Sequence, residues 1–164
     1  PYAYPTDIKI DIKGYDLGHF FEWDFKKNVE IIKNYGWKEL DRNVEGTFVN
    51  YEDLDCGFMP MHQYFKFIKY GYGRATDHAC YEIRQGRMSQ KQAKELIIEY
   101  DGKVPRKYFK EFLNFLDISE KHFFSTVDRF ANPLLFKKDR DNNYIRDNSQ
   151  NLILDNIWYD SFQI

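Results

Sequence analysis

Residues 89–133 read SQKQAKELIIEYDGKVPRKYFKEFLNFLDISEKHFFSTVDRFANP. Ser89 with Gln92 three residues on has the spacing of a capping box, in which the two side chains satisfy backbone N–H groups at a helix start. Ala93, Leu96, Ile97 and Tyr100 follow at spacings of three and four, one face of a helix. Gly102 closes that helix. Pro105 suits the first turn of another, with Phe109, Phe112, Leu113 and Leu116 as its stripe. Ser119 caps a third, whose inward residues are Phe123, Val127 and Phe130, and Pro133 follows it. Three amphipathic helices joined this closely predict a mainly α chain.

Outward from this stretch the same pattern continues toward the N-terminus. Thr76 is read as the cap of a helix through Ala79, Tyr81, Ile83 and Arg84 that stops at Gly86. Residues 60–70 form another, with Tyr64, Phe67 and Ile68 on one face and Gly71 and Gly73 beyond its end. Asp24 caps the first helix, with Phe25, Val29 and Ile32 in line and Gly36 as its stop. Residues 37–55, mixed and acidic, read as a loop. Ile8, Ile10 and Ile12 alternate with Lys9, Asp11 and Lys13, the pattern of a short strand or extended arm, broken by Gly14 and Gly18. Beyond Lys137 the run DRDNNYIRDNSQNL (139–152) reads as turn or linker, and the last residues are apolar enough to pack back as an arm. The expected organisation is an arm over 1–22, a helical domain over 23–136, and a linker with a C-terminal arm over 137–164. No repeat at a fixed period is apparent, so a solenoid is not expected.

The composition narrows the function. The chain has 164 residues, 43% hydrophobic, 30% charged and 19% aromatic, with 15 Phe and 13 Tyr. So many rings argue against disorder. A net charge of -2 argues against a general polyanion binder, and nucleic acid is not expected as a partner. No apolar run approaches the length of a membrane helix, so no membrane partner is expected. Two cysteines, Cys56 and Cys80, fit neither a disulfide framework nor a four-thiolate zinc site; a cytoplasmic location and no metal site are the expectation. The chain opens on Pro1 rather than Met, which reads as a piece of a longer protein.

No nucleotide-binding glycine loop, no Gly-x-Ser-x-Gly, no His-Glu-x-x-His and no Cys-x-x-Cys occurs. The densest polar constellation runs from His62 to Arg87. Arg74, Asp77 and His78 fall at the start of the third helix, where free N–H groups and the positive end of the dipole attract anions. Arg74, Arg84 or Arg87 could add a bidentate grip on a carboxylate or phosphate. The competing reading is that Asp77 merely caps the helix and the arginines are solvated. Asp77 and His78 are adjacent, so they do not face each other as an acid–base pair would. His62 reads as structural.

Four runs carry a resemblance: Phe21-x-Trp23-Asp24; Lys66-Phe67-x-Lys69-x-Gly71-x-Gly73-Arg74-Ala75-x-Asp77-His78; Ile83-Arg84-x-Gly86-Arg87; and Tyr100-Asp101-Gly102. Together they resemble the C-terminal part of the N-acetyl sugar amidotransferases of the PP-loop ATP-pyrophosphatase superfamily, most of all the pseudaminic-acid enzymes of flagellin glycosylation and their lipopolysaccharide O-antigen relatives. The resemblance covers roughly residues 20–135. It implies the helical, substrate-side portion of a PP-loop α/β enzyme that turns a sugar N-acetyl group into an acetamidino group. ATP and Mg would act in the full-length enzyme, and a glutaminase subunit would supply ammonia. The family's Ser-Gly-Gly-x-Asp-Ser loop is not in this sequence, so the chain by itself is expected to bind no cofactor and not to turn over. The sugar and the protein's own N-terminal PP-loop domain are the other expected partners. Lys66, Lys69, Arg74, Asp77, Arg84 and Arg87 become candidate sugar contacts, and His78 the candidate catalytic group. A helical module that only docks the glutaminase or the ATP domain is the alternative.

Overall fold

In a computed structural model, residues 13–155 are described. The alternating segment around Ile8–Ile12 and most of both expected arms lie outside the described residues. The chain divides into two compact units, Pro1–Lys38 and Glu39–Ile164.

Among the described residues of the first unit a 3-10 turn, Leu17–His19, is followed by helix α1, Phe25–Lys33. Asp24 caps α1 as its sequence position predicts: its carboxylate accepts from Lys26 N at 2.9 Å and Lys27 N at 3.4 Å. Neither element buries a side chain, and Tyr15, Phe20, Phe21, Trp23, Ile31 and Tyr35 are exposed.

The described residues of the second unit hold five helices: α2 (Met59–Tyr70), α3 (Arg74–Arg84), α4 (Gln90–Tyr100), α5 (Phe109–Leu116) and α6 (Glu120–Phe130). With α1 they make the predicted six-helix, mainly α architecture. The capping box at Ser89 forms with both of its bonds, and Ser119 caps α6 through His122 N. Two predicted starts differ. Helix α3 begins at Arg74 with Gly73 as N-cap, so Thr76 lies inside its first turn. Helix α5 begins at Phe109, leaving Pro105 in the preceding turn segment.

α3 packs on α4 and α2 on α6. The core is aromatic. Phe123 is 2% exposed and meets Tyr64, Phe65, Phe109 and Phe112 with ring centroids 5.0–6.3 Å apart, the separations at which edge-to-face pairs add to simple burial. Phe67 and Ile68 of α2 and Val127 of α6 complete its centre. Gly102, after α4, has φ +75°, and a Cβ there would overlap the Phe67 ring; only glycine lets this corner close over α2.

A short repeat appears where none was expected. Asp139 Oδ1 accepts from the backbone N–H of Asp141 and Asn143, and Oδ2 accepts from Asn143 Nδ2. Eight residues on, Asp147 makes the same three bonds to Ser149, Asn151 and Asn151 Nδ2. Each turn places its fourth residue at positive φ, Asn142 at 66° and Gln150 at 65°. The extended residues between the turns close a ring: Ile145 N donates to Lys137 O, Ile153 N to Ile145 O, and Lys137 N to Ile153 O, at 3.0, 3.0 and 2.8 Å. Among the described residues no strand forms, only isolated bridges. The apolar residues that open each repeat, Phe136, Tyr144 and Leu152, all join the core cluster. They share no side-chain identity, so the period rests mainly on the Asp and Asn positions, and turn composition hides it.

Candidate functional site

The polar residues singled out around α3 meet a partner from the loop before α2. Glu52 lies there, and its side chain is 13% exposed. Arg74 Nε lies 2.9 Å from both Glu52 oxygens, and its Nη2 lies 2.5 Å from Oε2, a fork on a carboxylate. His78, one turn further along α3, places Nε2 2.8 Å from Glu52 Oε1. Its imidazole is 4% exposed and is met edge-on by Phe48 and Tyr51, at centroid distances of 6.0 and 6.1 Å. Burial by itself would raise the Glu52 carboxyl; the bonds from His78 and Arg74 outweigh it and hold the group down at about 2. Glu52 is therefore a fixed anion.

The network continues outward. Arg74 Nη1 is 3.7 Å from Asp77 Oδ2, and Lys66 Nζ of α2 is 2.5 Å from the same oxygen. Asp77 and Arg74 are about one third exposed, at 35% and 31%, so this end reaches solvent. Lys66 also sits 4.5 Å over the Tyr72 ring. On the inner side Glu82, 5% exposed, holds Arg87 through two bonds at 2.9 and 3.0 Å. Burial, with Glu82 and Glu52 nearby, pushes the Tyr51 phenol up to about 12, so it stays protonated.

The start of α3 is not open to an anion. Asp101, the residue that ends α4, turns its carboxylate into that position. Oδ2 accepts from Gly73 N, Thr76 N and Thr76 Oγ1, and Oδ1 accepts from Ala75 N, at 2.6–3.3 Å. The expectation of free N–H groups there is corrected: the chain supplies its own anion, 6% exposed. Burial pushes the Asp101 carboxyl up in spite of these donors.

Of the residues predicted to act together, Lys66, Arg74, Asp77 and His78 share one network, and Arg87 belongs to the neighbouring Glu82 pair. Lys69 lies apart, 5.1 Å over the Tyr70 ring, and Arg84 is exposed. Glu52 and Tyr51 escape the sequence reading, and Asp101 enters it only within the run Tyr100-Asp101-Gly102, without its role. Glu52 sits in a segment read only as acidic loop, and the partner that gives Asp101 its role is more than twenty residues away. The free cysteines Cys56 and Cys80 are both exposed. No helix among the described residues is long and apolar enough to cross a membrane.

Residues 45–149 match the family described as LPS biosynthesis protein WbpG-like, C-terminal domain. The match spans more than half of the chain and contains all of α2 to α6 together with Glu52. This chain belongs to that family. No curated protein sequence matches the chain. Membership in a WbpG-like C-terminal domain family gives this site its setting, lipopolysaccharide biosynthesis.

Proposed function

We propose that this WbpG-like domain is the substrate-side portion of an ATP-dependent amidotransferase that converts a sugar N-acetyl group to an acetamidino group, in the making of an O-antigen or a pseudaminic-acid glycan. The observation that supports it is the convergence of Lys66, Arg74, Asp77 and His78, the residues that carry the family resemblance, on one network with a buried end and a solvent-facing end. The buried end fixes geometry: His78 and Glu52 hold the Arg74 fork in one orientation. The exposed end offers an acceptor, Asp77, and donors from Lys66 and Arg74, the groups that sugar hydroxyls and amides pair with. His78 acts here as a positioning residue.

An amide carbonyl is a weak electrophile, so placing it against its activating group accounts for much of the rate. The start of α3 is filled by Asp101. In this reading ATP and Mg act in another part of the complete enzyme, and this domain's share of the work is orientation of the sugar.

The test uses the complete enzyme with its ammonia source varied. If Asp77 and Lys66 contact the sugar, Asp77→Ala and Lys66→Ala lower turnover with free ammonia and with glutamine alike, by about tenfold or more. If the network docks a glutaminase, only the glutamine-driven reaction falls. Full activity in both assays removes the proposal.

A further inference from the structure

Helix α5 is apolar on two sides. Phe109 and Leu113 turn inward to the core, the one side that an amphipathic helix has to bury. A second stripe, Tyr108, Phe112 and Phe115, runs at spacings of four and three along a different side. The loop before α2 holds its rings in place. Phe58 meets Phe112 at 5.4 Å and Phe115 at 5.6 Å between ring centroids. Gly57 lies against the Tyr108 ring, where a Cβ would stand 2.9 Å from it. The outer side of this group is open: Phe115 is 74% exposed, and Leu54, Tyr108 and Leu116 are exposed with it. Rings fixed by one another yet facing outward are the composition of an interface centre, where aromatic anchors carry most of the binding.

The charges around the rings narrow what covers them. Toward the start of α5 stand Lys107 and Lys110; beyond its end stand Asp117 and Glu120; all four are exposed. Among the described residues none of the four forms an ion pair, and Lys107 Nζ only rests 4.8 Å over the Tyr108 ring. Cations at the start and acids past the end reverse the order that a helix dipole favours. A second α5 running the opposite way supplies the missing opposite charge at both ends. Asp55 and Glu111, also exposed, give the rim both signs, which suits neither an anionic lipid surface nor a strongly charged peptide.

We propose that this face seats a second copy of the chain. The two α5 helices run antiparallel about a two-fold axis, with Phe58 and Phe115 of both copies at the centre. Lys107 and Lys110 of each copy lie opposite Asp117 and Glu120 of the other. The segment from Leu54 to Phe58 follows Glu52 closely, so the second copy also steadies the loop that carries the anion of the α3 network. The proposal does not depend on the amidotransferase reading, because association is measured without turnover.

The experiment is sedimentation equilibrium of the 164-residue chain from about 5 to about 500 μM, where a reversible dimer with a Kd of about 10–100 μM is expected. Phe115→Ser is expected to leave the circular dichroism unchanged, because most of the ring lies outside the fold, and to raise the Kd by about tenfold or more. Lys107→Glu with Lys110→Glu in one chain, and Asp117→Asn with Glu120→Lys in another, are each expected to weaken self-association. An equimolar mixture of the two is expected to dimerise more tightly than either alone, since only the mixed pair sets opposite charges together. A chain that stays monomeric throughout overturns the proposal and leaves the face to a different protein. A dimer that Phe115→Ser does not weaken overturns it too, as does a mixture that associates no better than its parts.

Discussion

Glu52 shows how one carboxylate governs the site. Its ordinary value is 4.5 and its value in the fold is about 2. A carboxyl held down in the folded state stabilises the fold above its unfolded value, and that contribution is lost as the pH falls through the folded value. The loss therefore falls between about pH 4.5 and pH 2 and amounts to roughly 3 kcal/mol at this degree of burial. Acid titration of stability by chemical denaturation should show a limb in that window, and Glu52→Gln should flatten it. The same substitution leaves the part-buried Arg74 guanidinium without its carboxylate partner and should cost about 2–4 kcal/mol at neutral pH. An acid limb that Glu52→Gln leaves unchanged would mean the Arg74 fork contributes nothing to the fold. The sequence displayed the cations of this network plainly, since Lys66, Arg74 and His78 cluster on α2 and α3. It hid the anion, because Glu52 lies in a loop without periodicity, and only the fold brings that loop over His78.

At the scale of elements, helix ends were largely legible and helix partners were not. Ser89, Ser119 and Asp24 act within three or four residues of their own positions, so local chemistry announces them. Asp101 caps a helix other than its own, and local chemistry gives no sign of it. Asp101→Ala would leave the first N–H groups of α3 without acceptors in a buried position, at a cost of about 2 kcal/mol or more. Asp101→Asn keeps one acceptor and should recover part of that loss; equal Tm values for wild type and Asp101→Ala would show that water replaces the carboxylate. The two tail turns make a matched internal comparison. Both aspartates make the same bonds, but the Asn151 Oδ1 of the second turn also accepts from Val104 N at 2.8 Å, which ties that turn to the α4–α5 connection. Asp147→Ala should therefore lower stability by about 1–2 kcal/mol, and Asp139→Ala by less. Denaturation midpoints of the two variants give the order directly, and the reverse order would mean that the bond to Val104 carries no weight.

For the whole molecule the decisive fact is where the apolar core begins. Every member of the core cluster, buried or packed against it, falls between Phe48 and Leu154, inside the unit Glu39–Ile164. The described elements of the first unit bury no side chain. Hydrophobic burial is the main favourable term in folding, so the unit that owns the core should fold by itself. The helical stripes made this core legible, since Phe67, Ile97, Leu113, Phe123 and Val127 all sit on the faces the spacing marked. What the spacing could not mark was that α1, with an equally clear stripe, belongs to the other unit: periodicity says which face of a helix is apolar, not what covers it. A chain starting at Glu39 is expected to unfold in one cooperative transition, with a Tm within a few degrees of the full chain and its near-UV circular dichroism retained. The exposed rings of Tyr15, Phe20, Phe21, Trp23 and Tyr35 would contribute little to that near-UV signal, because exposed rings lack a fixed environment. If the shortened chain keeps its helices but loses near-UV signal and cooperativity, the packing of the rings around Phe123 depends on residues before Glu39, and the division into a self-sufficient core and a separate leading unit is wrong.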